Sequence, residues 1–376
     1  MPHRYIKKIL SANVYDVAVE TPVELARSLS KRLANNILIK REDLQPVFSF
    51  KIRGAYNCIS QLTQVQRACG VVCASAGNHA QGVAMSAKYL GTNATIVMPN
   101  TTPEIKVNAV RSLGAKVILH GDSFAQAYAY SLTLVADLGL VYIHPFDDEN
   151  VIAGQGTVAV ELMRQIQGNI DAVFVPVGGG GLIAGIAVYI KYLRPDIKII
   201  GVEPEDSCCL KVALDAGERV ILPEVGTFAE GVAVAQIGEL TFELAQQYVD
   251  EVITVTTDEL CAAIKDIYDD TRAVTEPSGA CALAGLKKYV EREQAQDQTL
   301  VAVATGANMN FDRLRHVAER AEIGEGREAI IAAQIPEQPG SFKRFCTALG
   351  ERNITEFNYR YGNNSKAQVF VGVTLK

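Results

Sequence analysis

The sequence predicts an α/β protein built on parallel sheets. Short runs of apolar, often β-branched residues recur along the chain and alternate with segments of helical length. Most of these runs are continuous rather than alternating, which is typical of strands covered on both faces. The composition supports the same class, because 48% of the 376 residues are hydrophobic and 21% are charged. A chain of this kind can bury a large core and divide into more than one domain.

Composition and charge exclude several classes of partner. The net charge of −6 and the absence of a basic run argue against nucleic acid. No run of 18 or more apolar residues could cross a membrane, and the first ten residues are too short and polar for a secretory signal. The eight cysteines form no C-x-x-C pair. We therefore expect reduced thiols in a cytoplasmic protein.

The predicted strands and helices follow one another in regular alternation. Helical patterns occupy residues 77–91, 103–114 and 123–139. Strands are expected at eight places, which are 35–40, 70–75, 94–99, 115–121, 171–177, 197–203, 251–256 and 299–305. The order predicts crossover connections, and so one parallel sheet or two.

Near residue 320 the character of the sequence changes. Residues 318–328 are polar and charged and predict a linker. A strand, a helix and two strands are then expected at 327–337, 339–352, 353–362 and 366–376. This β-α-β-β unit of about 50 residues stops before the helix and strand that would complete a ferredoxin-like module. The expected division is residues 1–320 and 321–376.

Four consecutive glycines give the strongest local signal of a ligand site. The run Gly178–Gly181 follows a predicted strand that ends at Val177, and a helical pattern comes next. Glycines let the backbone turn tightly, and their N–H groups with the first helical turn can hold an anion, most often a phosphate. The alternative is a flexible turn with no ligand.

The glycine run does not match the common nucleotide motifs. A P-loop would require Gly-Lys-Ser/Thr, which is absent. A dinucleotide fold would place a third glycine where Ile183 stands, although Glu203 ends the following strand as such a fold would require. A mononucleotide or a small phosphorylated cofactor fits better.

A second candidate lies at the end of another predicted strand. Ser75, Gly77 and Asn78, within ASAGNHAQG, come where ligands bind in open α/β sheets. Backbone N–H groups there could hold a carboxylate, and Asn78 could bond a ring oxygen. The alternative for Ser75 and Asn78 is helix capping. His79 has no cysteine or carboxylate partner in its surroundings and is expected to be a core histidine.

The third candidate is Lys51, in FSFKIRGA. Ser49 could cap a helix that begins there, and the positive end of that helix would lower the amine's pKa. Apolar neighbours would lower the pKa further. A neutral amine can form an imine with an aldehyde. Alone, Lys51 would be interpreted as a solvated surface lysine.

Together, these motifs resemble a known family. FSFKIRGA, SAGNHAQG and GGGGL in this order resemble the fold-type II pyridoxal-phosphate enzymes, which include tryptophan synthase β-chain, serine racemase and the serine/threonine dehydratases. ILIKREDLQPVFSFKIRGA, GQGT, FVPVGGGGL, AEGVAV and EPSGA are most similar to the biosynthetic threonine dehydratases. The match covers about residues 5–320. It implies two α/β subdomains, the smaller at about 45–145 inserted in the larger.

The resemblance implies a role for each candidate. Lys51 would carry the imine link to pyridoxal 5'-phosphate, and Asn78 would bond the ring hydroxyl. Thr305 would stand against the pyridine nitrogen, where the family has serine or cysteine. One loop would hold the cofactor's phosphate and consists of Gly178, Gly179, Gly180, Gly181 and Leu182. Another loop would hold the substrate's carboxylate and consists of Ser75, Ala76, Gly77 and Asn78.

The implied activity is elimination of ammonia from a hydroxy amino acid. The resemblance favours L-threonine, converted to 2-oxobutanoate in the first step of isoleucine biosynthesis, with L-serine as a secondary substrate. Three alternatives stay open: a serine dehydratase or racemase of the same fold, an NAD-type oxidoreductase using Glu203, and a non-catalytic amino-acid sensor. Serine racemase has a serine where this chain has Ala76, so negligible racemisation is expected.

The resemblance also bears on metals, regulation and assembly. Some relatives bind a cation through residues at the positions of Glu203, Ser207 and an aspartate, but Cys209 replaces the aspartate here, and no metal is expected. The tail is similar to the first part of an ACT-like regulatory unit, through which isoleucine inhibits related enzymes. We expect an incomplete isoleucine site, and a homo-oligomer, either a dimer or a tetramer.

Overall fold

A computed structural model describes residues 2–324, 328–361 and 366–375 of the chain. The strands are β1 (Val23–Leu25), β2 (Asn36–Arg41), β3 (Val71–Ala74), β4 (Ala94–Met98), β5 (Lys116–Leu119), β6 (Val141–Tyr142), β7 (Ala172–Pro176), β8 (Lys198–Pro204), β9 (Glu251–Val255), β10 (Thr299–Ala304), β11 (Glu328–Pro336), β12 (Ile354–Tyr361) and β13 (Lys366–Thr374).

Helices alternate with these strands through most of the chain. They are α1 (Pro2–Leu10), α2 (Arg27–Leu33), α3 (Lys51–Ser60), α4 (Gln64–Cys69), α5 (Asn78–Tyr89), α6 (Glu104–Ser112), α7 (Phe124–Leu138), α8 (Glu149–Gln165), α9 (Gly181–Leu193), α10 (Cys209–Ala216), α11 (Glu239–Tyr248), α12 (Thr257–Thr271), α13 (Pro277–Glu293), α14 (Arg313–Gly324) and α15 (Ser341–Leu349).

The strands form two α/β sheets and a third, separate sheet. The larger has the order β1-β2-β10-β7-β8-β9 and is parallel except for β1, and the smaller, β5-β4-β3-β6, is wholly parallel. All eight predicted strands of this region are confirmed. The sequence missed β1 and β6, which have three and two residues and are too short to show a hydrophobic pattern.

The parallel arrangement determines where the candidate residues lie. In each sheet the carboxyl ends of the strands share one edge, where open α/β sheets bind their ligands. The loop that begins at Ser75 follows β3, the glycine run follows β7, and Thr305 follows β10. The candidates from both sheets therefore leave strands at their carboxyl ends.

Residues 328–361 and 366–375 form the predicted β-α-β-β unit. Its antiparallel sheet has the order β11-β13-β12. Phe345 and Leu349 of α15 pack against Val369 and Val371 of β13, which lie on one face of the sheet. The four elements are confirmed, but the predicted linker is wrong in part. Helix α14 extends to Gly324, and residues 325–327 lie outside the described part of the chain.

A buried ion network holds α3 against the larger sheet. Arg53 pairs with Glu42 at 2.7 Å and with Glu161 at 2.6 Å, and Lys40 pairs with Glu161 at 2.6 Å. All four side chains are fully buried, and their charges balance. Because buried charges are costly unless paired and hydrogen-bonded, each member depends on the others. The network joins the helix that begins at Lys51 to β2 and α8.

We expect Arg53→Ala to lower the free energy of unfolding by about 3–5 kcal/mol, because Glu42 and Glu161 would be left buried with too few partners. Arg164→Ala, which removes a solvent-exposed pair with Glu20, should cost less than about 1 kcal/mol. Urea unfolding of the two variants, followed by circular dichroism, measures the difference. If the two variants lost the same free energy of unfolding, the structural role of the buried ion network would be contradicted.

Candidate active site

The segment before Lys51 is joined to the end of β10. The Phe50 N–H donates to the Thr305 carbonyl at 3.2 Å, and the Ala307 N–H donates to the Phe48 carbonyl at 2.9 Å. Phe48 has a φ of 55°, a left-handed conformation that a bulky side chain seldom adopts. These contacts place the start of α3 beside Thr305.

The amine of Lys51 is only partly reached by water. Its Nζ donates to the Pro145 carbonyl at 2.9 Å and lies 5.3 Å from the centre of the Phe50 ring. Burial lowers the pKa of this amine to about 8, and the charge of Glu276 opposes that shift. The sequence predicted the direction. The predicted cap is different, since the N-cap is Phe50 and Ser49 Oγ accepts the Lys51 N–H at 3.3 Å.

The glycine run forms a turn in which side chains would not fit. Gly180 has a φ of 89° and is the N-cap of α9. A Cβ placed on Gly179 would overlap the ring of Phe146, and one on Gly181 would meet the Phe146 backbone at 3.1 Å. Leu182, in the first turn of α9, is buried in the core. The run is therefore held as bare backbone at a helix N-terminus, as an anion site requires.

Two neighbouring contacts fix the shape of this turn. The Thr241 hydroxyl donates to the Gly179 carbonyl at 2.7 Å. The Asp147 carboxylate accepts the backbone N–H groups of Glu239 and Leu240, both at 2.9 Å, at the start of α11. Residues 145–147 thus contact both Lys51 and the glycine run, and they bring the two together.

The loop between β3 and α5 leads into a helix that packs against the start of α3. Ser75 Oγ accepts the Gly77 N–H at 3.3 Å, while α5 itself has Gly77 as its N-cap and no side-chain cap. A Cβ on Gly77 would meet nothing within 4 Å, and Ala76 packs against the core of the smaller sheet. Gly82, one turn into α5, lies so close to α3 that its Cβ would be 3.2 Å from the Lys51 carbonyl.

Asn78 is held by two side chains that sequence reasoning missed. Its Nδ2 donates to Glu276 Oε1 at 2.6 Å, and its Oδ1 accepts from Asn308 Nδ2 at 2.6 Å. Glu276 is buried, which raises the pKa of its carboxyl. Glu276 stands in EPSGA, a segment that the sequence had singled out, and Asn308 lies three residues after Thr305, but nothing in either segment indicated a partner for Asn78.

Thr305 is buried at the carboxyl end of β10. Its hydroxyl donates to the Ser278 carbonyl at 3.2 Å, which leaves its oxygen free to accept a hydrogen bond. The position keeps the hydroxyl that the resemblance requires, and the extra methyl group is accommodated in the core.

Burial lowers the pKa of both histidines near Lys51. His79 is buried with Nε2 2.9 Å from the Ile143 carbonyl, and burial lowers its pKa to about 3. His144 Nδ1 accepts the Asp147 N–H at 2.8 Å, and burial lowers its pKa also. His79 therefore stabilises the fold, in agreement with the interpretation of its sequence.

The Glu203 carboxylate is hydrogen-bonded within the protein. It accepts the backbone N–H groups of Leu210 and Lys211 at 2.9 and 2.8 Å, and it is fully buried. A ribose could not reach it, which removes the basis for an NAD-type site. The Cys209 thiol donates to the Gly178 carbonyl at 3.3 Å. In the described residues, no three His, Cys, Asp or Glu side chains group in a way that could hold a metal ion.

Comparison with known proteins gives consistent matches. Residues 14–306 match the family described as pyridoxal-phosphate dependent enzyme, and residues 319–376 match the C-terminal regulatory domain of threonine dehydratase. The chain is 59% identical, over its whole length and 74% of the relative, to the biosynthetic L-threonine dehydratase IlvA of Burkholderia multivorans.

Solved structures agree with the sequence matches. The processed form of threonine deaminase isoform 2 from Solanum lycopersicum superimposes with a TM-score of 0.84 and 51% identity, covering 86% of this chain and 88% of that one. Serine racemase from Dictyostelium discoideum superimposes with a TM-score of 0.75 and 32% identity, covering 82% of this chain and 98% of that one.

The fold and the site thus define a pyridoxal-phosphate dependent enzyme of fold type II, with a C-terminal regulatory domain. Within that class, the chain belongs to the family of the biosynthetic threonine dehydratases. The site fits the cofactor, since it combines a half-buried amine, a glycine cradle suited to a phosphate and an asparagine amide suited to a ring oxygen.

Gly179→Ala should abolish binding of pyridoxal phosphate, because the new methyl group and Phe146 cannot occupy the same space. Gly217→Ala adds a Cβ that would meet nothing within 4 Å, although its φ of 74° strains the backbone at the end of α10. This variant should lose some stability and bind the cofactor as the wild type does. Fluorescence titration of the cofactor-free proteins compares the affinities. If Gly179→Ala bound pyridoxal phosphate as tightly as the wild type, the phosphate could not be held by the glycine run.

The pKa of Lys51 sets the pH at which the cofactor is captured. Only the neutral amine attacks an aldehyde, so the rate of imine formation should rise with pH and be half-maximal near pH 8, not near 10.5. Absorbance after mixing the cofactor-free protein with pyridoxal phosphate measures this rate. A rise confined to pH values near 10.5 would show a fully solvated lysine.

Proposed function

We propose that this chain catalyses the elimination of water from L-threonine, which gives 2-oxobutanoate and ammonia in the first step of isoleucine biosynthesis. L-Serine is proposed as a secondary substrate. The observation that carries the proposal is the placement of the Lys51 amine, which donates to the Pro145 carbonyl at 2.9 Å in a segment whose next residue, Phe146, packs on the glycine run. Burial also lowers the pKa of this amine to about 8. The names of the chain's relatives support the same substrate.

Binding is assigned to backbone and amide groups. Gly178–Gly181 and Leu182 would hold the phosphate by their N–H groups, and the loop Ser75–Asn78 would hold the substrate carboxylate. Asn78 would bond the ring oxygen, and the Thr305 hydroxyl would face the ring nitrogen. These assignments combine the contacts around each residue with the family resemblance.

Catalysis is assigned to Lys51 as a base. When bound, pyridoxal phosphate supplies an electron-withdrawing group that acidifies the α-hydrogen of an attached amino acid. Lys51 Nζ would remove that hydrogen as a proton. The electron pair left on Cα would form a double bond to Cβ as the Cβ–O bond breaks. The departing hydroxide takes up one proton to become water, which balances the proton that Lys51 removes. The enamine product takes up water and releases ammonia.

The neutral Thr305 hydroxyl suits this outcome. A carboxylate against the ring nitrogen would keep that nitrogen protonated and the carbanion delocalised, whereas a hydroxyl does not. Charge that stays near Cα favours prompt loss of a β-leaving group. The arrangement at Thr305 is therefore matched to elimination.

Two alternative functions, a serine racemase and a non-catalytic sensor, fit the residues of this site less well. A serine racemase needs a second acid or base on the opposite side of the substrate, and Ala76 has no ionisable group at the position proposed for it. A non-catalytic sensor would have no need of a lysine with a lowered pKa. Preference for threonine over serine depends on room for one methyl group, worth about 1–3 kcal/mol.

Location and assembly are also proposals. No helix in the described ranges is long and apolar enough to cross a membrane. All eight cysteines are unpaired, as expected in the reducing cytoplasm, where we place the chain. A homo-oligomer, either a dimer or a tetramer, rests on the resemblance alone. The division at residue 320, and the subdomain at 45–145, remain predictions.

Ammonia and 2-oxobutanoate release from L-threonine tests the activity. Lys51→Ala should lower kcat by at least about a hundredfold, because both the covalent link and the base are lost. Lys88→Ala, which changes an exposed lysine on α5, should leave kcat unchanged. A wild-type protein inert toward threonine and serine would support the sensor instead.

Chiral analysis of the remaining substrate tests the racemase alternative in the same samples. Because Ala76 cannot exchange a proton, the D-isomer should stay undetectable while elimination proceeds. Interconversion of the D- and L-isomers at a rate near that of elimination would contradict the role assigned to this position.

A further inference from the structure

Glu276 is a buried carboxyl without a cationic partner. It is 8% exposed, and no nitrogen of a lysine, arginine or histidine in the described residues lies within 4.0 Å of its oxygens. It precedes α13, yet its side chain makes no capping hydrogen bond to that helix. Buried carboxylates are normally paired, so a position that holds one unpaired beside an active site suggests a function.

The surroundings of Glu276 leave room for a carboxyl. A Cβ on Gly306 would lie 2.6 Å from Glu276 Oε1, and a Cβ on Gly231 would lie 3.5 Å from the same oxygen. Two glycines thus border the carboxyl. The charge of Glu276 also acts on the Lys51 amine, where it opposes the lowering of the amine's pKa by burial.

The hydrogen bonds around Asn78 fix the orientation of its amide. Asn308 Nδ2 donates both to the Val47 carbonyl at 2.8 Å and to Asn78 Oδ1 at 2.6 Å. The Val47 carbonyl can only accept, so the Asn308 amide cannot turn over. Asn78 must then present its oxygen to Asn308 and its nitrogen to Glu276, which accepts at 2.6 Å. One hydrogen of the Asn78 amide remains for a ligand.

We propose that Glu276 is a positioning residue for the reaction, and that with Asn308 it holds the Asn78 amide so that its nitrogen, and not its oxygen, meets the cofactor's ring oxygen. The inference rests on the function proposed above. A donor at this place stabilises the ionised ring oxygen, whereas an acceptor stabilises the protonated one. Glu276 itself contacts neither substrate nor reacting atoms in this scheme.

The absorption spectrum of the bound cofactor reports the state of its ring oxygen without any substrate. We expect Glu276→Ala to shift absorbance from the visible band, due to the ionised oxygen, toward the near-ultraviolet band, and to lower kcat by about ten- to a hundredfold, as for loss of a hydrogen bond to a charged group. Glu276→Gln keeps an acceptor oxygen and should restore the visible band. Asn308→Ala should shift the spectrum as Glu276→Ala does.

A matched control is offered by Glu230. Its carboxylate lines the same cavity but bonds Lys106 and Arg313 rather than Asn78. Glu230→Gln should therefore show the wild-type spectrum. A shift in this variant equal to that of Glu276→Ala would show a general effect of charge in the cavity and would overturn the proposal.

A double-mutant cycle separates action through Asn78 from independent action. If Glu276 acts through Asn78, then Glu276→Ala should add nothing to the loss in Asn78→Ala. Three results would each overturn the inference. They are additive losses of kcat in the double variant, a wild-type spectrum in Glu276→Ala, and failure of Glu276→Gln to restore the visible band. If Glu276→Ala does not fold, the Asn308→Ala spectrum decides the question in the same way.

The same measurements distinguish this inference from the proposed function. A wild-type protein that binds pyridoxal phosphate but does not react with threonine would contradict only the proposed substrate. The inference about Glu276 would still be tested, because the spectral comparison uses no substrate. A wild-type protein that binds no cofactor would overturn both.

Discussion

The withdrawal of one amine from water is the constraint on which this structure depends. Lys51 Nζ has a single backbone carbonyl as its hydrogen-bond acceptor and an aromatic ring beside it. In such surroundings the charged form is less stable than in water, so the amine gives up its proton near pH 8. Chemistry that needs a neutral amine at physiological pH follows from that burial, and the elements around Lys51 are arranged to maintain it.

Three parts of the chain that are distant in sequence maintain this position. The pairing of Phe48–Phe50 with Thr305–Ala307 joins the start of α3 to the end of β10, and the buried Arg53 network joins its first turn to β2 and α8. Gly82 allows α5 to approach the backbone of Lys51. Because the smaller sheet contributes α5 and the larger contributes β10, the amine lies where the two sheets' ligand loops meet.

Local patterns allowed the sequence to predict the main strands and the glycine run, and to single out Lys51 and Asn78 as candidates, because each is a property of neighbouring residues. The roles given to these two residues come from the family resemblance and stay predictions. The partners of those residues could not be predicted. Glu276 is 198 positions from Asn78, Asn308 is 230 positions from it, and Pro145 is 94 positions from Lys51. Residues 318–324 of α14 were predicted to belong to a linker, because charged residues are typical of either a solvated helix or a loop.

Chemical trapping of the lysine that binds the cofactor tests the central claim most directly. Borohydride reduces an imine to a stable amine, so the reduced protein can be digested and its labelled peptide identified by mass spectrometry. The account predicts a yellow protein that loses its colour on reduction and carries one pyridoxyl group, on Lys51 within FSFKIRGA. A label on any other lysine, or a colourless protein that takes up no label, would contradict it.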